Sequence, residues 1–352
     1  LAAEYEEERN MRVLVTGAAG FIGTHLVSNL AQSGVSVVVI DRNKSLLPTI
    51  SSNIRHVVTD ITNSAAISSA LQGVDVVYHL AWSGLPLSSN EDPNLHIASN
   101  LTPTIVLLEA CAKSSVKRVV FLSSGGAVYG HAAKLPITEK HPTHPLSIYG
   151  VTKLAVESYL DFYWRQYNLD YVVLRPSVPY GESQNTRRGQ GAVGVFLRAA
   201  ITNAPITLWG GREVSRDFFY VGDLVKACLA AADEGVKRGV YNIGGGKAIS
   251  LGNLLNMVEE ITNTKISVTC APARNCDPSS ICLDITKARH GLCWEPEVEL
   301  SVGIERTWTW LKSLNFTQAI SPKSRILPSS THGDSIPPSL HHYVEHSASP
   351  LS

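Results

Sequence analysis

Apolar residues recur in two rhythms along the first half of the chain. Short runs rich in Val, Ile and Leu lie at 12–16, 35–40, 56–59, 74–80, 118–122 and 171–174, and stretches of helical period or composition separate them. Runs apolar on both faces suit a parallel sheet covered by helices on either side. The alternation therefore predicts an α/β fold built on a doubly wound parallel sheet. Beyond Arg175 and Pro176 the rhythm loosens into loops marked by Gly and Pro, with shorter strands at 206–209, 241–243 and 266–269. Helical periodicity returns at 193–202, 223–232, 251–261 and 302–311. Residues 11–176 are expected to form the core domain, which also receives later segments, and 177–314 a smaller α/β lobe. Residues 1–10 read as an N-terminal extension or a displaced start. Residues 315–352, rich in Ser, Pro and His, read as a disordered tail.

Composition narrows the partners. Thirty basic side chains balance thirty acidic ones, and no block of Lys or Arg is long enough to mark a nucleic-acid or anionic-membrane surface. The apolar runs are far shorter than the roughly 20 residues of a membrane helix, and the acidic N-terminus lacks the apolar centre of a signal peptide. Neither membrane nor nucleic acid is expected as a partner, and a cytoplasmic location is. The six cysteines form no CxxC pair, and those at 270, 276, 282 and 293 match no common zinc spacing. Buried reduced thiols are expected, without a metal.

The first strand–helix junction reads VLVTGAAGFIG and places Gly17, Gly20 and Gly23 where a dinucleotide site needs them. One glycine permits the tight turn, one admits the pyrophosphate to the backbone, and one lets helix pack on strand. Phosphate then meets the N–H groups that open the helix at Phe21 and Ile22. Asp41 closes the second strand, where a carboxylate accepts from both ribose hydroxyls and repels a 2′-phosphate; this favours NAD over NADP, although neighbouring Arg42 could pair with such a phosphate. Asp60 ends the third strand similarly, as an adenine contact or a turn carboxylate.

Tyr149 and Lys153, in YGVTK, stand four apart and share one helix face. A free phenol titrates near 10, and an ammonium beside it favours the phenolate that can take a proton from an alcohol. The spacing alone is weak, but the pair follows FLSSGGAVYG, which closes the fifth strand on the edge where such sheets bind ligands.

GAAGFIG, Asp41, the DI of Asp60 and Ile61, the HLA of His79, Leu80 and Ala81, SSGGAVYG, YGVTK, RPSVPYG, RDFFYVGDL and YNIGGG occur in this order. Over about residues 11–311 the chain thus resembles the extended short-chain dehydrogenases of Rossmann type that act on nucleotide sugars. Within them it looks most like the UDP-glucose 4-epimerase branch. The resemblance implies bound NAD, a nucleotide-sugar substrate, a homodimer, and a cycle in which C4 is oxidised to a ketone and reduced on its other face. It also implies nucleotide contacts from Leu80 and Ala81, a diphosphate grip from Arg216, and phosphate and ribose contacts from Arg274 and Asp277 in ARNCDP.

Three positions depart from the pattern. The usual catalytic Ser or Thr is Gly125, so the role is assigned to Ser124, with Ser123 just upstream. Val178 stands where many members carry Asn. Gly126 and Ala127 replace the Asp and Glu of the 4,6-dehydratases, which removes the acid an elimination needs. Other nucleotide-sugar chemistry on this scaffold remains an alternative: a UDP-N-acetylglucosamine or UDP-glucuronate epimerase, a decarboxylase, a 4,6-dehydratase or a 4-ketoreductase. So does a dinucleotide-sensing protein without chemistry. Trp308, Trp310 and Leu311 are expected in the core, and His131, His141 and His144 on a loop surface.

Overall fold

In the computed structural model, which describes residues 11–42, 52–185 and 191–314, the apolar runs become strands close to where they are expected. β1 (Arg12–Thr16) turns into α1 (Phe21–Gln32), and β2 (Ser36–Asp41), β3 (Ile54–Val58), α2 (Ser64–Ala70) and β4 (Val76–His79) follow. Two helices, α3 (Pro86–Glu91) and α4 (Pro93–Ala112), lead to β5 (Arg118–Leu122). The single turn α5 (Gly125–Val128) and the long α6 (Ile148–Tyr167) precede β6 (Asp170–Pro176). Then come β7 (Val178–Tyr180), α7 (Ala192–Thr202), β8 (Ile206–Trp209), β9 (Ser215–Arg216), β10 (Phe218–Tyr220) and α8 (Val221–Ala231). The last elements are β11 (Gly239–Ile243), β12 (Ile249–Ser250), α9 (Leu251–Thr262), β13 (Val268–Ala271), α10 (Thr286–Gly291) and α11 (Leu300–Ser313).

Seven strands form one sheet in the order β11-β6-β5-β4-β1-β2-β3, and every pairing in it is parallel. Strand order reverses at β1, so the carboxyl ends of β1 and β4 open a crevice, the place where doubly wound sheets take their ligands. Successive residues of each strand serve opposite faces. Val13 and Val15 pack with α1 and α8 through Leu26, Leu30 and Leu224, whereas Leu14 and Val77 pack with α2, α4 and α6 through Ile67, Leu107 and Leu160. Each such buried side chain contributes about 1.5–3 kcal/mol, which holds the strand ends, and the loops on them, in place.

The described residues through Leu314 form one compact unit. Beyond the sheet, β8 pairs with β13, β7 with β10 and β9 with β12. α4 is the one described helix that is long and apolar enough to cross a membrane by length and composition. Its buried positions include polar His96, Asn100 and Thr104, and its neighbours are α2, α3 and α6.

Two expectations are corrected. α11 buries Gly303, Ile304, Thr307 and Leu311, a stripe of helical period that passes beside Trp308 and Trp310 and leaves both half-buried. Of the cysteines, Cys111, Cys228 and Cys282 are buried, but Cys270 and Cys293 are exposed and Cys276 is half-buried; β13 is a surface strand in which Thr269 and Cys270 are both exposed. The expected N-terminal extension and tail lie outside the described residues.

Candidate active site

The glycine turn closes at the crevice. Gly17 sits at φ +72°, and a Cβ there would fall 2.7 Å from the Ala81 nitrogen, so only glycine fits between the ends of β1 and β4. Its N–H donates to Ile40 O at 3.0 Å, and Gly20 N–H donates to Gly17 O at 3.0 Å. α1 begins at Gly20 with no side-chain cap and no acidic residue in its first turn. Its opening N–H groups, at Phe21 and Ile22, are thus left for an anion. Gly23 lies behind them, where a Cβ would be 2.2 Å from Gly17 O.

A cavity of about 420 Å³ spreads in front of this turn, with Gly17, Gly20, Asp41, Asp60, Ile61, Leu80 and Ala81 in its wall. Asp41 accepts the Ala19 N–H at 3.1 Å, tying the second strand to the turn. Asp60 spends one oxygen on the N–H and hydroxyl of Thr62, at 2.9 and 2.8 Å, and these bonds hold its carboxyl below the usual range. Its other oxygen lies 3.7 Å from Arg42, so Arg42 leans toward Asp60.

Thr16 and His79 form a unit that no sequence spacing announces, because they meet only through the register of β1 with β4. His79 Nδ1 is 2.8 Å from the Thr16 hydroxyl and Nε2 is 2.9 Å from that of Thr104. Burial lowers this imidazole to about 3, so it is neutral. The Thr16 hydroxyl in turn accepts the Leu80 and Ala81 N–H groups, both at 3.2 Å, which shapes the cavity wall.

Tyr149 and Lys153 stand one turn apart near the start of α6, whose Ser147 cap accepts the Gly150 N–H. The Lys153 ammonium is buried and donates to Leu122 O at 2.6 Å; burial holds it well below its usual range, against the pull of Glu157. Burial likewise pushes the Tyr149 phenol up to about 12, while a hydrogen bond with the Ser124 side chain pulls it down. Ser123 is committed elsewhere: its hydroxyl donates to Glu157 at 2.5 Å, and Glu157 is paired with Arg175 at 2.6 Å. The structure thus brings Tyr149, Lys153 and Ser124 together.

A second cavity, of about 590 Å³, contains Arg216, Arg274 and Asp277 in its wall, with Val178, Trp209 and Phe196. Arg274 Nε is 3.1 Å from Asp277, and its guanidinium lies 4.9 Å from the Trp209 ring centre. The two cavities share one segment: Trp82, Ser83 and Gly84 line the first, and Leu85 to Ser88 line the second.

Residues 13–244 match the NAD dependent epimerase/dehydratase family. The chain belongs to that family. A relative described as a putative UDP-glucose 4-epimerase, from Methanocaldococcus jannaschii, is 35% identical over 87% of this chain and 100% of its own. The Thermotoga maritima UDP-glucose 4-epimerase, solved with UDP-glucose, superposes with a TM-score of 0.81 at 34% identity, covering 86% of this chain and 99% of that one. The Bacillus cereus UDP-glucuronic acid 4-epimerase, solved with UDP-glucuronic acid and NAD, gives 0.80 at 32% identity, over 86% and 100%.

The protein is therefore an enzyme on an epimerase-type Rossmann fold with NAD as its cofactor, and the first cavity suits that group through the uncapped start of α1 and through Asp41 in its wall. The departure at Gly125 has a steric cause: a Cβ there would fall 2.5 Å from Leu283 Cδ1 and 2.9 Å from Arg175 O. Val178 faces the second cavity without a hydrogen-bonding group. Among the described residues, no cluster of His, Cys, Asp and Glu is placed to hold a metal ion. His131 and His144 are exposed, and His141 packs edge-on to Tyr129.

Proposed function

We propose that this enzyme inverts C4 of a UDP-hexose of the glucose and galactose type. The observation that carries the reading is the placement of Tyr149, with the Ser124 side chain near enough to act on its phenol, beside the segment shared by the two cavities. NAD, held in the first cavity by the glycine turn and Asp41, would supply the hydride chemistry at C4. Tyr149 Oη takes the proton of the C4 hydroxyl, Ser124 Oγ hydrogen-bonds the same oxygen, and Lys153 favours the phenolate and holds ribose hydroxyls. Asp41 holds the adenosine ribose. In the lobe of residues 177–314, Arg216 and Arg274 grip the diphosphate while the keto sugar turns over, and Asp277 orients the nucleotide ribose. Tyr149 then returns its proton to the inverted alcohol.

A substrate with a C5 carboxylate is the second reading, because the Bacillus cereus relative of similar identity was solved with UDP-glucuronic acid. A second copy of the chain is expected to cover Leu95 and Ile97 of α4 and Val151, Phe162 and Tyr167 of α6, which are exposed apolar groups on packed helices. Six unbonded cysteines fit a reducing, cytoplasmic setting. Proton NMR of the purified protein with UDP-glucose, UDP-N-acetylglucosamine, UDP-glucuronate and dTDP-glucose separates these substrates. UDP-galactose formed from UDP-glucose without added cofactor supports the first reading; inversion of only UDP-glucuronate replaces it with the second.

A further inference from the structure

The ammonium of Lys153 is covered by an indole. Its Nζ lies 3.5 Å from the ring centre of Trp82, closer than to Phe121 at 4.8 Å or Tyr149 at 5.6 Å. The same indole lines the dinucleotide cavity and meets the Tyr149 ring edge-on at 5.9 Å. In this arrangement one ammonium donor goes to Leu122 O and the indole face shields the ammonium. Lys153 is thus buried, and Trp82 rather than Lys153 forms the cavity wall.

Two further observations show which part can move. The backbone on both sides of Trp82 is tied down: Ala81 N–H donates to the Thr16 hydroxyl at 3.2 Å, Ser83 N–H donates to Asn100 Oδ1 at 2.7 Å and Asn100 Nδ2 donates back to Ser83 O at 3.1 Å. The indole N–H, by contrast, is buried without a hydrogen-bond partner. Rotation of the side chain breaks no hydrogen bond of its own. A buried donor left unpaired is uncommon enough to need a cause, and a group that arrives later supplies one.

We propose that Trp82 is a side-chain cover over Lys153, closed in the nucleotide-free site and displaced by the ribosyl-nicotinamide half of the dinucleotide, whose arrival gives the indole N–H its acceptor. This rests on the reading of the first cavity as the NAD site. The adenosine-diphosphate half, at Asp41 and the glycine turn, leaves the cover closed. While it is closed, the Lys153 ammonium is held between the indole face and Leu122 O.

The test uses the full chain stripped of nucleotide and labelled with [¹⁵N]tryptophan. Six indole signals are expected from its six tryptophans, and the one missing from Trp82→Phe belongs to Trp82. NAD moves that signal downfield and ADP leaves it in place. Trp82→Ala, freed of the cation–π contact, binds NAD about threefold tighter or more by calorimetry, with ADP affinity unchanged. A Trp82 signal that stays put when calorimetry shows NAD bound overturns the cover, as does a Trp82→Ala variant whose NAD and ADP affinities fall together. No heat from NAD in the wild type overturns the dinucleotide reading itself, and the cover with it.

Discussion

The hydroxyl of Ser123 donates to the carboxylate of Glu157 at 2.5 Å, and this bond decides which of two adjacent serines is left for chemistry. Successive residues at a strand end point to opposite sides. With Ser123 turned to Glu157 and Arg175, Ser124 is turned to Tyr149.

The two serines should therefore fail differently. Ser124→Ala removes a bond that lowers the Tyr149 phenol, so its acidity weakens and the low-pH limb of kcat moves to higher pH, with kcat falling by about 10²-fold. Ser123→Ala leaves that limb in place and lowers stability by about 1–3 kcal/mol, because a buried carboxylate loses a donor. A pH–rate profile and a urea titration of both variants check this.

The legible parts of the sequence are those where chemistry is local. The glycine turn with Asp41, and Tyr149 with Lys153, each lie within one junction or one helical turn, and strands buried on both faces announce themselves as unbroken apolar runs. The partnership of Thr16 with His79 depends on strand register, and the cover of Trp82 over Lys153 on packing between distant segments. Neither leaves a spacing to read. β9 and β12 are two residues each, too short for any periodicity. The tryptophans of α11 mislead for the opposite reason: they are apolar, but lie off the stripe set by Ile304, Thr307 and Leu311.

Asp41 lines the first cavity, and its proposed role is to select the cofactor. Asp41→Asn should lower the preference for NAD over NADP by about tenfold or more, since a neutral amide neither accepts as strongly from ribose hydroxyls nor repels a 2′-phosphate. Calorimetry with both dinucleotides measures it.

Arg216 and Arg274 should act on binding more than on turnover. Arg216→Gln or Arg274→Gln is expected to raise KM for the nucleotide sugar by roughly 10- to 100-fold with a much smaller change in kcat. An effect confined to kcat would place neither guanidinium on the diphosphate.

His79 should make stability depend on pH. Burial lowers its imidazole in the folded protein to about 3 from the ordinary 6.5, so its contribution is full above about 6.5 and is lost as pH falls toward 3. The slope reaches at most about 1.4 kcal/mol per pH unit. Urea titrations of the wild type and of His79→Asn between pH 7 and pH 4 should diverge by that slope, with the wild type losing stability faster.

The central claim is that the hydrogen at C4 leaves as hydride and returns from the same bound NAD while Tyr149 handles only the hydroxyl proton. Incubation with UDP-[4-²H]glucose in ordinary water, followed by NMR and mass spectrometry of the sugar, tests it most directly. Deuterium retained at C4 of UDP-galactose, with no change in added NAD or NADH, is the predicted result. Loss of the label to water, or its appearance in an added NAD pool, would contradict it.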